Sequence, residues 1–112
     1  MPSDPHTLLT VTVIPGRRRT DVVLSGEVDL AARPVLAAAV DRLADAAPDT
    51  TVIDLAAVVF GGSVLASFLA SVRAAIPAGS RLVLARPKPM THKVLQLTGM
   101  DQIGVVRDSN DA

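Results

Sequence analysis

The fold is decided by residues 51–76, which read TVIDLAAVVFGGSVLASFLASVRAAI. The first five residues are a short β-branched run, which predicts a buried strand near the centre of a sheet. Further along, apolar side chains recur at positions i, i+3, i+4, i+7 and i+11, namely Leu65, Phe68, Leu69, Val72 and Ile76. This spacing is one face of an amphipathic helix. The segment therefore predicts a strand, a glycine-containing turn and a core helix in direct succession.

Two strands and one helix are predicted before this segment. Apolar and threonine residues alternate over residues 9–13, which indicates a half-buried strand that ends at Pro15. Residues 22–24 predict a second strand, which closes at Ser25 and Gly26. Residues 32–46 have helical periodicity, and Pro34 fits only the first turn of that helix.

After the central segment, residues 82–84 predict another buried strand and residues 90–97 a third helix capped by Gly99. Residues 103–106 are expected to form an edge strand. Two strands followed by alternating helices and strands predict an α/β fold with a mixed sheet of four or five strands. We expect three to four helices, mainly on one face. The expected core contains Val52, Ile53, Leu55, Leu65, Leu69, Leu82 and Leu84.

The composition limits the class of protein. A chain of 112 residues with 49% hydrophobic residues suits one domain, expected to span residues 1–112 with an ordered core at about 8–107. The net charge is zero, so we expect no direct binding to nucleic acid. The basic run at residues 17–19 follows Pro15 and Gly16, which favours a solvated turn.

Several kinds of chemistry find no support in the sequence. There is no cysteine, which excludes disulfides and thiolate metal sites. No apolar run approaches the roughly 20 residues that span a bilayer, so we expect no membrane insertion and a cytoplasmic location. No phosphate-binding loop and no metal-ligand spacing occur, so no cofactor and no metal site are predicted.

Catalysis is not expected either. His6 lies near the N-terminus and His92 early in a short helix, and Ser63 lacks the G-x-S-x-G context of a hydrolase nucleophile. A small serine hydrolase that uses Ser63, His92 and an aspartate stays a remote alternative. Glu27 and Asp29 are two residues apart and resemble paired carboxylates, but a surface loop before a helix explains them equally well.

The turn at residues 58–63 has two interpretations. Loops that leave the carboxyl ends of strands and enter helices are where α/β domains place their sites, and Gly61 and Gly62 leave the backbone exposed to a partner. The structural interpretation is that Ser63 caps the helix, a role worth about 0.5–2 kcal/mol.

Three motifs resemble the STAS domain family. The run SGEVDL at residues 25–30 is similar to the loop after the family's second strand, and DLAAVVF at residues 54–60 is similar to its central strand and turn. LTGMD at residues 97–101 resembles the C-terminal Leu-Thr-Gly-Leu-Asp. The resemblance covers nearly the whole chain, from about residue 8 to residue 107.

The resemblance implies a bacterial anti-sigma-factor antagonist that binds a kinase-type anti-sigma factor and releases a sigma factor. In such proteins the turn reads hydrophobic-Asp-Ser-(Ser/Thr)-Gly-Leu, and the serine after Asp is phosphorylated. Here a gapless alignment puts Gly62 at Asp and Ser63 at the phosphoacceptor. An alignment with a turn one residue shorter places Leu65 on the family's first core leucine, and Ser63 is then the phosphoacceptor or the hydroxyl beside it. In both alignments the acidic residue that precedes the phosphorylated serine in the family is absent.

The resemblance thus makes Ser63 the candidate phosphorylation site. The candidate partner-binding residues are Gly26, Glu27, Asp29, Leu30, Gly61, Gly62, Ser63 and Val64. We expect a monomer or weak dimer. The alternative is a STAS subunit that is not phosphorylated and belongs to another assembly, either a lipid-transporting ABC system or a stress-signalling scaffold.

Overall fold

The computed structural model describes residues 8–109, which form one mixed sheet with helices packed against it. The strands are β1 (Thr10–Ile14), β2 (Arg19–Val28), β3 (Thr50–Gly61), β4 (Arg81–Ala85) and β5 (Val105–Arg107). The helices are α1 (Arg33–Ala46), α2 (Ser63–Ala75) and α3 (Pro89–Thr98), with 3-10 turns at Leu30–Ala32 and Met100–Gln102.

The strands lie side by side in chain order, β1-β2-β3-β4-β5. β1 and β2 form an antiparallel hairpin, and the remaining neighbours are parallel. Each parallel connection after β2 runs through a helix, as crossovers between parallel strands require. The predicted mixed sheet of four or five strands is confirmed.

The helices cover one face of the sheet, and we call it the helix face. Alternate residues of β2, β3 and β4 point into it and join the helices in one buried cluster that includes Leu24, Ile53, Leu84, Leu36 and Leu69. On the opposite face, Val52, Val83 and Ala85 form a separate small cluster that contains no helix residue. All seven predicted core residues are buried, but Val52 belongs to this second face because strand side chains alternate.

Two strands extend further than the sequence predicted. β2 continues beyond Ser25 and Gly26 to Val28, and β3 continues beyond Leu55 to Gly61. Arg19, expected in the solvated turn, is the first residue of β2, where its guanidinium is paired with the Asp21 carboxylate. Arg17 and Arg18 are exposed in the turn, as expected.

The predicted helices are confirmed with small shifts at their ends. A 3-10 turn precedes α1, so the helix begins at Arg33, and Pro34 lies in its first turn. Leu65, Phe68, Leu69 and Val72 form the buried face of α2, and Ile76 is buried just after it. α3 ends at Gly99, whose φ of 77° is the expected left-handed cap. The last strand begins at Val105 rather than at residue 103, because a 3-10 turn and Gly104 intervene.

Candidate partner-binding site

Two bulges shape the carboxyl ends of β2 and β3. Val23 pairs with Asp54 and Ser25 with Ala57, so β3 advances by three residues where β2 advances by two. Gly26 pairs with Val58 and Glu27 with Phe60, so β3 again advances by one residue more than β2. β3 therefore uses two more residues than β2 over the same span. Each bulge breaks the alternation of faces along the strand.

The carboxylate of Asp54 holds the first bulge. Its Oδ1 accepts a hydrogen bond of 3.0 Å from the backbone N–H of Ala56, and its Oδ2 forms an ion pair with the guanidinium of Arg86. Asp54 is only 8% exposed, so both oxygens need these partners. Asp54, the acidic residue of the Asp-Leu pair in the central strand, thus has a structural role in shaping the first bulge.

The two glycines of the turn have different roles. A Cβ atom at Gly61 would lie 2.9 Å from Cδ2 and 3.2 Å from Cβ of Leu65, so Gly61 allows the first turn of α2 to approach β3 closely. A Cβ atom at Gly62 would meet no atom within 4 Å. Packing therefore favours glycine at position 61, where any larger residue would displace Leu65, and leaves space for a side chain at position 62.

Ser63 is the first residue of α2, and Gly62 precedes it as the N-cap. No side-chain hydrogen bond caps this helix end, and the first helical bond runs from the N–H of Ala66 to the carbonyl of Gly62. The structural interpretation of the turn, in which the Ser63 side chain caps the helix, is therefore not supported. Its side chain is exposed, and its hydroxyl has no hydrogen-bonding partner among residues 8–109.

The remaining predicted residues surround this turn. Gly26 and Glu27 lie within β2 rather than in a loop, and the φ of 118° at Gly26 requires glycine at the bulge. Glu27 is paired in register with Phe60. Asp29 is extended, with its carbonyl accepting the N–H of Ala32, and Leu30 begins the 3-10 turn. Val64 follows Ser63 in α2 and is half-buried.

Three exposed apolar side chains lie on these same segments. Leu30, Val59 and Phe60 are 68%, 61% and 60% exposed, respectively. Leu30 is among the predicted partner-binding residues, whereas Val59 and Phe60 are not. The apolar run at residues 58–60 contains no signal for the bulge that leaves two consecutive residues exposed.

A shallow groove adjoins the turn between α1 and α2. Its volume is about 290 Å³. It is lined by Arg33, Leu36, Ala37 and Val40 of α1 and by Val64, Ser67, Phe68 and Ser71 of α2.

The geometry does not assemble the remote hydrolase site. His92 lies in the first turn of α3, and no hydrogen bond joins it to Ser63 within the described residues. His6 lies outside the described residues. Among residues 8–109, no group of three or more histidine, aspartate or glutamate side chains is placed to hold a metal ion, and no helix is long and apolar enough to cross a membrane.

The fold and the turn define the class: a small mixed α/β domain with three exposed apolar residues, Leu30, Val59 and Phe60, where β2 and β3 end. A family model described as "Mlab, STAS domain" matches residues 15–107. The chain belongs to the STAS domain family.

Solved structures agree with this assignment. The chain is 27% identical to an anti-sigma factor antagonist from Mycobacterium paratuberculosis, with a TM-score of 0.81, over 96% of this chain and 91% of that chain. It shares the fold of the anti-sigma factor antagonist SpoIIAA in its unphosphorylated form, at 19% identity and a TM-score of 0.66 over 88% and 87% of the two chains. The phosphorylated form of the Bacillus cell fate determinant SpoIIAA gives 19% identity and a TM-score of 0.54 over 88% and 90%. No protein with a curated description matches significantly.

Proposed function

We propose that this protein is an anti-sigma-factor antagonist that binds a kinase-type anti-sigma factor and so releases a sigma factor to RNA polymerase. The proposal extends to this chain the role of the mycobacterial anti-sigma factor antagonist, which is similar along nearly its whole length. It implies a cytoplasmic protein that acts by binding rather than by catalysis.

The observation that carries the proposal is the exposed turn that leads into α2. Val59 and Phe60 offer apolar surface there, Leu30 adds apolar surface just after β2, and no atom lies within 4 Å of the position of a Cβ at Gly62. Aromatic residues are enriched at protein interfaces, and a few well-packed side chains supply most of the affinity, which makes Phe60 the main candidate anchor. The binding surface in this proposal is therefore residues 26–30, residues 59–63 and the first turn of α2.

Phosphorylation of Ser63 is the proposed switch. The hydroxyl is exposed and makes no capping bond, so a kinase has access to it without opening the helix. A phosphate adds about −1.5 to −2 charges at pH 7, which would oppose burial of the surrounding apolar side chains. The N-terminus of α2 favours a negative group, so the phosphorylated domain is expected to stay folded.

The test is phosphorylation by a cognate kinase-type anti-sigma factor with Mg-ATP, followed by intact-mass and phosphopeptide measurement. We expect one phosphate, on Ser63, and none in Ser63→Ala. Ser67→Ala is the matched control, because Ser67 is an exposed serine one turn further along the same helix. Ser63→Glu should weaken partner binding, whereas Ser67→Glu should weaken it much less.

A second candidate function follows from one observation: the turn Gly61-Gly62-Ser63 lacks the acidic residue of the phosphorylated pattern in either alignment. It is a STAS subunit that binds its partner constitutively, in a lipid-transporting ABC system or a stress-signalling scaffold. Two results together would favour this candidate: Ser63→Glu binds the partner normally, and no kinase encoded by a neighbouring gene phosphorylates Ser63. Gly62→Asp is expected to raise the phosphorylation rate if the switch is present.

A further inference from the structure

The two edges of the sheet are built differently. β5 has three residues, follows Gly104 and ends in the charged Arg107. β1 has five residues, Thr-Val-Thr-Val-Ile, with no charge, glycine or proline. Within residues 8–109, β1 pairs with β2 alone.

Edge strands expose a row of unpaired N–H and C=O groups, and monomeric proteins protect such edges with short strands, charges, prolines or bulges. β5 has two of these protections. β1 has none of them. It contains no charged residue and no proline, and its register with β2 runs without a bulge from Thr10 opposite Ser25 to Ile14 opposite Asp21. Together with Leu8 and Leu9, it forms a seven-residue uncharged run rich in β-branched residues, a composition that favours strand pairing between chains.

We propose that β1 pairs in antiparallel orientation with β1 of a second copy of this chain, which joins the two sheets into one. The strand is complementary to itself. A pair centred on Thr12 places Val11 opposite Val13 and Thr10 opposite Ile14, and residues that face each other in a ladder share a face of the sheet.

The burial pattern matches this pairing. Val11 and Val13 are half-buried and pack against the main core, so a second β1 would continue the apolar row on the helix face. Ile14 is 54% exposed and would gain cover from Thr10 of the second copy. α1 contacts β1 and so flanks the same edge.

The difference between the edges also determines the size of the assembly. An antiparallel pair of identical strands has twofold symmetry, so the contact uses the same surface on both copies. Each copy then offers only the protected β5 as a free edge. The product is a closed dimer rather than a growing fibre, and the small contact predicts weak association.

The test places a charge at the centre of the edge. Sedimentation velocity from low micromolar to millimolar concentration should show a monomer–dimer equilibrium. Thr12→Lys and Thr12→Glu should each weaken it at least about fivefold, because like charges then face each other across the twofold axis. An equimolar mixture of the two variants should associate again, since opposite charges face each other. The control Val105→Lys, on β5, should leave the equilibrium unchanged.

Amide hydrogen exchange gives a second readout that does not depend on the variants. Protection of residues 10–14 should rise with protein concentration. Protection that is equal at all concentrations would mean that the edge is covered within one chain, and it would overturn the proposal. So would a monomer at millimolar concentration, or a mixture of the Lys and Glu variants that associates no better than either alone.

Discussion

The two parts of β3 have different surroundings. Residues 50–54 lie between β2 and β4 in continuous register with both, and all but Thr50 are buried. Within residues 8–109, residues 55–61 pair with β2 alone; they contain both bulges and expose Val59 and Phe60, while Leu55 and Val58 stay buried. One strand therefore supplies the centre of the core and then an exposed apolar surface. The change occurs where β4 ends, because the bulged part has a neighbour on one side only.

The largest expected difference between the two parts is in stability. Ile53→Ala should lower the free energy of unfolding by about 2–5 kcal/mol, because it empties a fully buried position. Phe60→Ala should change it by no more than about 0.5–1 kcal/mol, since most of the ring is already in water. Denaturant unfolding measures both. Equal losses would show that the exposed part of β3 is also core.

The same pair of variants should give the opposite order in binding, under the proposed function. Phe60→Ala is expected to weaken partner binding at least about fivefold, as truncation of an interface aromatic does. Ile53→Ala should bind normally under conditions where it is folded. Calorimetry with the anti-sigma factor measures the effect.

Gly61 and Gly62 provide a finer comparison within the turn. Gly61→Ala should cost about 1–3 kcal/mol, because its Cβ would press on the buried Leu65. Gly62→Asp should leave the stability unchanged or raise it by a few tenths of a kcal/mol, since the new side chain enters open space beside a helix N-terminus. Thermal and denaturant unfolding of both variants distinguish the two positions. Similar losses would contradict the difference in packing.

The smallest effect is expected at Ser63. Ser63→Ala should change the free energy of unfolding by less than about 0.5 kcal/mol, because its hydroxyl caps nothing in this structure. Loss of a capping serine would instead cost about 0.5–2 kcal/mol. Denaturant unfolding with repeated measurements resolves this difference. A cost of about 1 kcal/mol or more would restore the capping interpretation.

Much of the fold could be predicted from the sequence because most elements keep a regular period. Leu65, Phe68, Leu69 and Val72 follow one helical face closely enough to identify α2 and its buried side. The lengths of β2 and β3 could not be predicted in this way. The sequence pattern predicts the end of a strand at Gly26, yet Gly26 lies inside β2, where its positive φ accommodates a bulge.

The position of the candidate site could also be predicted, because glycines follow an apolar run and precede an amphipathic helix. Its surface could not. The exposure of Val59 and Phe60 depends on the bulges, and the first of these depends on Asp54, Ala56 and the distant Arg86. The different roles of Gly61 and Gly62 depend likewise on the distance to Leu65, which no local pattern specifies.

The two bulges give β3 two residues more than its pairing with β2 uses. Each holds one residue that the ladder with β2 does not need, so removal of one residue there would shorten the strand without moving the core on either side. Insertions and deletions among relatives should therefore concentrate between residues 55 and 62. An alignment that puts its gap elsewhere would shift the buried face of α2, whereas a gap at a bulge preserves it. In the alignment with a turn one residue shorter, the missing residue falls in this bulged part of the chain, which can lose one residue without moving the core.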